Sequence, residues 1–350
     1  MDKIATITRD HADELLDKLA DRLNVESSTL VPFTDFSDMI TALLGHVGQD
    51  QARLLVAGHA SPDLALAVER AGLKLKEITG VSPFVSHPED TLVEVSSPSN
   101  LIYVSNPNRV TGSDMSNNFL NRLAEKVPDG LLIIDEKYFD YYGISGLPLL
   151  EKHDRVVVIR SLTAGFGIRS DESGCLIGSP HFICSFKNYY QWSRITTTMF
   201  RLLSMTLTDE PLTTKRLSQV HDEAFRLAQQ LTALGLQNRI TSADFLLLRV
   251  ARPEKVAEFL TRFGSPVDNL GIYPDLTSYL SYRIQSPLSN DTFLSACKRM
   301  PPDYYRMADI DKRAVMFHRP GEPSPYGETE SHRFSSRVST GRPTTVTSEH

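Results

Sequence analysis

Cysteine is scarce in this chain: Cys175, Cys184 and Cys297 are the only three in 350 residues. Three thiols so far apart frame neither a disulfide scaffold nor a zinc knuckle, and they read as reduced small hydrophobes. Tryptophan occurs once. No window holds the roughly 20 apolar residues that cross a bilayer. The opening M-D-K-I-A-T-I-T-R-D-H lacks the apolar core of a signal peptide. Basic charge is not in excess either, with 37 Lys and Arg against 43 Asp and Glu, a net charge of -6. The basic residues are scattered, so the electrostatic footprint of a nucleic-acid binder is missing. These absences predict a soluble cytoplasmic protein with no metal site and no membrane or nucleic-acid partner.

What is present is an ordinary globular composition, 41% hydrophobic and 23% charged, in a chain long enough for a large and a small domain. Apolar spacing predicts amphipathic helices over Asp10–Leu23 and Thr34–Val47, the second capped by Asp35 or Ser37. Strand Arg53–Ala57, helix Asp63–Ala71 and strand Lys74–Ile78 follow. Then come strand Leu101–Val104, helix Asn117–Lys126, and strands Leu131–Asp135, Arg155–Arg160 and Cys175–Gly178. Short aliphatic runs alternating with helices imply an α/β fold, a mostly parallel sheet with helices on both faces.

Beyond Ser185 the texture changes. Long helices are expected over Tyr190–Leu207 and Thr214–Leu234, the latter with Leu217, Val220, Ala224, Leu227, Ala228 and Leu231 on one face. Ala243–Val250, Pro253–Phe263, Tyr279–Gln285 and Asn290–Met300 read as strand, helix, strand, helix, a smaller α+β domain. The division that follows is a helical segment at 1–30, a large domain at 31–210, a small domain at 211–301, and an extension and tail at 302–350. Arg319–His350 is rich in Ser, Thr, Pro, Gly and Arg, a composition that predicts disorder. It is either a solvated tail or a docking segment phosphorylated beside Arg333, Arg337 and Arg342.

Four motifs carry a family resemblance. They are S-N-P-N-R-V-T-G (Ser105–Gly112), L-L-I-I-D-E-K-Y (Leu131–Tyr138), R-S-L-T-A-G-F-G-I-R-S-D-E-S-G-C-L-I-G (Arg160–Gly178) and Y-R-I-Q-S (Tyr282–Ser286). In order and spacing they resemble the class I/II aminotransferases of fold type I, and most of all the histidinol-phosphate aminotransferases, over about Asp13 to Pro301. The resemblance implies that family's doubly covered sheet and smaller carboxyl-terminal domain. It also implies a pyridoxal-phosphate site. Asp135 takes the position that pairs with the pyridine nitrogen, and Tyr138 that of the tyrosine on the ring hydroxyl. Arg283 takes that of the arginine gripping a substrate carboxylate. Ser161 and Thr163 sit at cofactor-contacting positions. Each of the first three also has a structural alternative: Asp135 as a turn cap, Tyr138 as core, Arg283 in a surface pair.

Measured against that pattern, the chemistry is withdrawn. The Schiff-base lysine that follows the hydroxyl residue is replaced by Ala164, which has no amine to capture an aldehyde. Arg109 replaces the asparagine on the ring hydroxyl, and Val110 the proline after it. Glu172 stands where an arginine grips the phosphate, turning attraction into repulsion. D-F-S-D (Asp35–Asp38) replaces the glycine-rich phosphate turn, setting Asp35 where helix amides meet the phosphate and Phe36 where it crowds the cradle. His59 stands in for the stacking aromatic, and no second substrate arginine occurs near Asp268. The family's N-E-N-P arm finds no match ahead of the first shared helix. Lys137 is in phase with Asp135 along its strand, which allows a pocket-ward amine beside the ordinary solvated reading. Arg169 compensates for Glu172 only if its loop shifts.

Three readings follow. The chain is a member without a cofactor, serving as a binding protein, a homodimer, or a subunit beside an intact paralogue, with Arg283 for a small carboxylate ligand. Alternatively it is a divergent pyridoxal-phosphate transaminase or phospho-amino-acid lyase. The third is a repurposed enzyme drawing on Thr163, His59, Asp135 and Glu172.

Overall fold

Side-chain caps start five of the helices. Asp35, Ser61, Ser116, Ser179 and Ser286 each accept a hydrogen bond from the backbone N–H three residues on. Proline follows the cap at positions 62, 180 and 287, where its missing N–H costs nothing. The computed structural model describes residues 9–48, 53–80, 84, 91–93, 95, 101–127, 130–165, 173–190 and 210–307.

Seven strands form the larger sheet: β1 (Leu30–Phe33), β2 (Arg53–Ala57), β3 (Lys74–Ile78), β4 (Leu101–Ser105), β5 (Leu131–Glu136), β6 (Val156–Ser161) and β7 (Gly174–Gly178). Their order is β1-β7-β6-β5-β4-β2-β3. The run from β3 to β6 is parallel, and β7 is antiparallel to both β6 and β1. Every residue of β4 and β5 is buried, as a parallel sheet covered on both faces requires. On one face Leu54, Val56, Tyr103, Ile133, Val157 and Ile159 pack against helices α2 (Phe36–Val47), α3 (Pro62–Arg70) and α5 (Pro180–Tyr189). On the other, Leu55, Ile102, Val104, Leu132, Ile134 and Val158 meet α1 (Arg9–Leu23) and α4 (Asn117–Lys126).

A second sheet of β8 (Gln237–Ile240), β9 (Phe245–Arg249), β10 (Asp268–Asn269) and β11 (Tyr279–Arg283) is wholly antiparallel in the order β10-β11-β9-β8. It packs with α6 (Glu210–Ala233), α7 (Pro253–Arg262) and α8 (Pro287–Arg299) around one core, in which Tyr282 stacks on Phe293 with centroids 3.6 Å apart. Both sheets lie in a unit ending at Met307.

The predicted elements fall within a few residues of those found. The structure adds β1, α5, β8 and β10, which the sequence pattern did not announce. Of the helix expected over Tyr190–Leu207, all but Tyr190 lies outside the described residues, as does the tail from Ala308 onward. No helix among the described residues is long and apolar enough to cross a membrane.

Candidate functional site

The candidate site lies at the carboxyl ends of the parallel strands, where ligands bind in open α/β sheets. Asp135, the penultimate residue of β5, registers with Ser105 on β4 and Ile159 on β6. Strand alternation turns it to the face of Tyr103 and Ile133, while Glu136 faces the opposite side. Asp135 is fully buried, and protein groups surround its carboxylate. The Tyr103 hydroxyl donates to Oδ2 at 2.5 Å, the Arg109 Nε also donates to Oδ2, and the Lys137 amide donates to Oδ1 at 3.1 Å.

Arg109 is delivered there by the loop after β4. Asn108 organises the loop: its Oδ1 accepts from the amides of Val110 at 2.9 Å and Thr111 at 3.0 Å, and its Nδ2 donates to the carbonyl of His59 at 3.0 Å. The Asn106 amide ties the loop's start to the Asp135 carbonyl at 2.8 Å. Gly112 closes the loop at φ +62, a conformation glycine adopts without steric cost. The Arg109 side chain is 7% exposed, and its guanidinium carbon sits 3.9 Å from the Phe36 ring centroid.

Phe36 opens α2 and is buried. The N-cap before it is Asp35, whose Oδ1 accepts from the Asp38 amide at 2.8 Å. Thus a carboxylate of the chain itself occupies the helix end that otherwise attracts anions. Between these elements lies a cavity of about 180 Å³, its open mouth included, lined by Phe33, Phe36, Arg109, Asp135, Lys137, Ile159 and Ser161. Lys137 therefore does line the pocket, with its ammonium 5.6 Å from the centroid of the neighbouring Tyr138 ring.

After β6 the chain turns through Ser161, Leu162, Thr163 and Ala164. The Ser161 hydroxyl accepts from the amides of Thr163 at 3.3 Å and Ala164 at 3.1 Å, a local turn that fixes both. The Ala164 carbonyl accepts from the Tyr141 hydroxyl at 2.8 Å. The Cβ of Ala164 is thus the whole side chain at the buried end of this turn. Arg169 and Glu172 lie outside the described residues.

The remaining predicted residues are engaged elsewhere. Tyr138 is 3% exposed and packs with Val110 and Tyr141 into the core of the second sheet, its ring centroid 6.0 Å from that of Phe245. Arg283 ends β11 with Nε 3.7 Å from Asp244 Oδ2 and a side chain 35% exposed, so a carboxylate ligand there meets a resident carboxylate. His59 is buried, its Nε2 2.8 Å from Asp275 Oδ1, with the Tyr273 ring edge-on at 5.2 Å. His59, Thr163 and Asp135 hold different partners, respectively Asp275, Ser173 and Arg109.

Tyr103 was missed by the motif reading, although a signal existed. It lies two residues before Ser105, the register partner of Asp135, so a tyrosine in an aliphatic strand marks a polar partner on that face. Behind the sheet a second buried pair joins Glu136 to Arg160 at 2.6 Å, with the Gly146 amide and Ser145 hydroxyl on the carboxylate. Burial pushes the Glu136 carboxyl above its ordinary value, while Arg160 pulls it back down.

Comparison with known proteins places these features in context. A sequence profile of the family "Aminotransferase class I and II" matches residues 4–273. A histidinol-phosphate aminotransferase of Caldanaerobacter subterraneus is 23% identical over 57% of this chain and 57% of its own length. An aromatic amino acid aminotransferase of Mycobacteroides abscessus is 29% identical over 61% of this chain and 62% of its own. The match thus spans less than two thirds of either relative. In three dimensions the chain resembles the histidinol-phosphate aminotransferase of Sinorhizobium meliloti in complex with pyridoxal-5'-phosphate. The TM-score is 0.75 at 16% identity, over 83% of this chain and 82% of that one. The histidinol-phosphate aminotransferase of Clostridium acetobutylicum gives 0.74 at 18% identity, over 84% of this chain and 90% of that one. At these identities the likeness is one of fold: the α/β architecture of fold type I.

Proposed function

The chain belongs to the aminotransferase class I and II family, and from that premise we propose that it has left pyridoxal-phosphate chemistry and acts by binding. Its role is that of a non-catalytic partner subunit or a receptor for a small carboxylate, with no cofactor of its own. The reading rests on Ala164, in the Ser161 turn after β6, at the position that the resemblance assigns to the family's Schiff-base lysine. Without a nucleophilic amine neither aldehyde capture nor the proton shuttle of transamination has an agent.

Among the described residues, those at the site do not fit pyridoxal phosphate. Asp135 is engaged by Arg109 and Tyr103, Asp35 caps the helix end that would take the phosphate, and the cavity is small. Arg283 supplies the guanidinium for a small carboxylate, in competition with Asp244. The assembly consistent with this role is a homodimer, or a heteromer with an intact, lysine-bearing paralogue.

Lys137 favours one rival, a divergent transaminase or lyase, because its amine lines the same cavity as Asp135. Absorbance titration with pyridoxal phosphate, followed by borohydride reduction and peptide mapping, separates the two. The binding reading predicts no aldimine band and no stoichiometric adduct. A one-to-one adduct on Lys137 would establish the rival instead. Ala164→Lys is expected to restore no aldimine band, since Arg109 and Asp35 remain in place. Sedimentation of the chain mixed with a lysine-bearing paralogue tests the subunit role, which predicts a mixed species.

A further inference from the structure

We propose that Arg109 is the resident occupant of the niche beside Asp135. It is a tethered planar cation that clamps α2, β4 and β5 together, and its removal would uncover a receptor for small planar cations. The inference rests on the reading that the niche no longer serves a cofactor, and the two fail separately.

Four elements converge on one guanidinium. Phe36 from the first turn of α2 gives an aromatic face at 3.9 Å. Asp135 from β5 gives a fully buried carboxylate to the Nε, and Tyr103 from β4 donates to the same carboxylate oxygen. The loop held by Asn108 supplies the arginine itself. A delocalised cation with N–H groups at its edge and an aromatic ring on its face is satisfied on both counts. These are the demands of any small planar N–H cation, an alkylguanidinium or an amidinium among them.

Tethering decides the competition. Arg109 loses no translational freedom on reaching Asp135, whereas a free cation must. The intact chain is therefore closed to such ligands. Removing the guanidinium leaves a buried anion beside an aromatic wall, with Tyr103 still donating to it. A buried charge stripped of its partner is strongly unfavourable, so the void favours an exogenous replacement of the same shape and sign.

Thermal unfolding of the full chain with millimolar ethylguanidinium tests this. Arg109→Ala should lower Tm by about 5 °C or more, and ethylguanidinium should restore at least half of the loss while leaving the parent protein unmoved. Ethylammonium, equally charged but not planar, should restore much less. Arg109→Ala combined with Asp135→Asn should show no ethylguanidinium response. Should Arg109→Ala not fold, Arg109→Lys keeps the charge without the planar face, and its Tm should fall measurably. A parent-like Tm in Arg109→Ala or Arg109→Lys, or equal rescue with and without Asp135, would overturn the clamp. None of these outcomes touches the cofactor reading, which fails if the parent protein binds pyridoxal phosphate, covalently or not.

Discussion

Individual side chains decide what this molecule can do. Ala164 was legible in the sequence as the residue standing where the resemblance expects a lysine. Arg109 was legible only as a missing asparagine. That its guanidinium lands on Asp135 depends on the path of the Asn108 loop and on the face to which β5 turns its carboxylate, neither of which a motif encodes. The same holds behind the sheet, where adjacent strands bring Glu136 and Arg160 into register. The guanidinium of Arg160 also lies 3.5 Å from the Phe139 centroid. Arg160→Met strands a buried carboxylate and should cost about 3–5 kcal/mol in urea unfolding at neutral pH. Adding Glu136→Leu should recover part of that loss. The variant's pH response has a definite sign. The Glu136 carboxyl is already raised above 4.5 by burial, and without Arg160 it rises further. A group that binds its proton more tightly when folded gains stability as pH falls. The deficit of Arg160→Met should therefore shrink as pH falls toward 4.5.

Among the elements, the parallel strands and capped helices were the most readable, because aliphatic runs and Ser-Pro or Asp caps each have a local cause. Of those missed, α5 has such a cap in Ser179-Pro180, whereas the strands lack a local cause. β1 contains Pro32, which suits only an edge strand, and it is an edge, paired on one side with β7. β8 and β10 are short and half-exposed or exposed, so they show no apolar alternation. The α6–α8 contact is likewise tertiary. Glu223 on α6 accepts from Arg226 at 2.7 Å and from Asn290 on α8 at 2.6 Å. These bonds, Arg226 first, hold its carboxyl below the ordinary 4.5. A depressed carboxyl stabilises the fold above its unfolded value and loses that contribution as pH falls through its folded value. Stability should accordingly decline on acidification below about pH 4.5, and Glu223→Gln should flatten that part of the curve in denaturant melts while lowering the neutral plateau.

Across the whole molecule, the α/β architecture followed from the alternation of elements, whereas the joint between the two sheets did not. Val110, Tyr138 and Tyr141 pack into the second sheet's core, which is why a tyrosine matched to a cofactor role is buried against Phe245. Around this joint the Ser242 hydroxyl donates to Asp114 at 2.6 Å, and Tyr273 donates to the Ala60 carbonyl at 2.7 Å. At Gly112 a Cβ would stand 2.3 Å from that of Thr241, on a backbone already at φ +62. Gly112→Ala should cost about 2–5 kcal/mol from backbone strain and overpacking together, read as a lowered urea midpoint. The Arg109 clamp sits beside this joint, so its integrity bears on the entire account. A crystal structure of the chain grown with excess pyridoxal phosphate tests it most directly. The account predicts the Arg109 guanidinium between Phe36 and Asp135, with no cofactor bound in the niche. A pyridine ring resting on Phe36, with Arg109 swung away from Asp135, would contradict it.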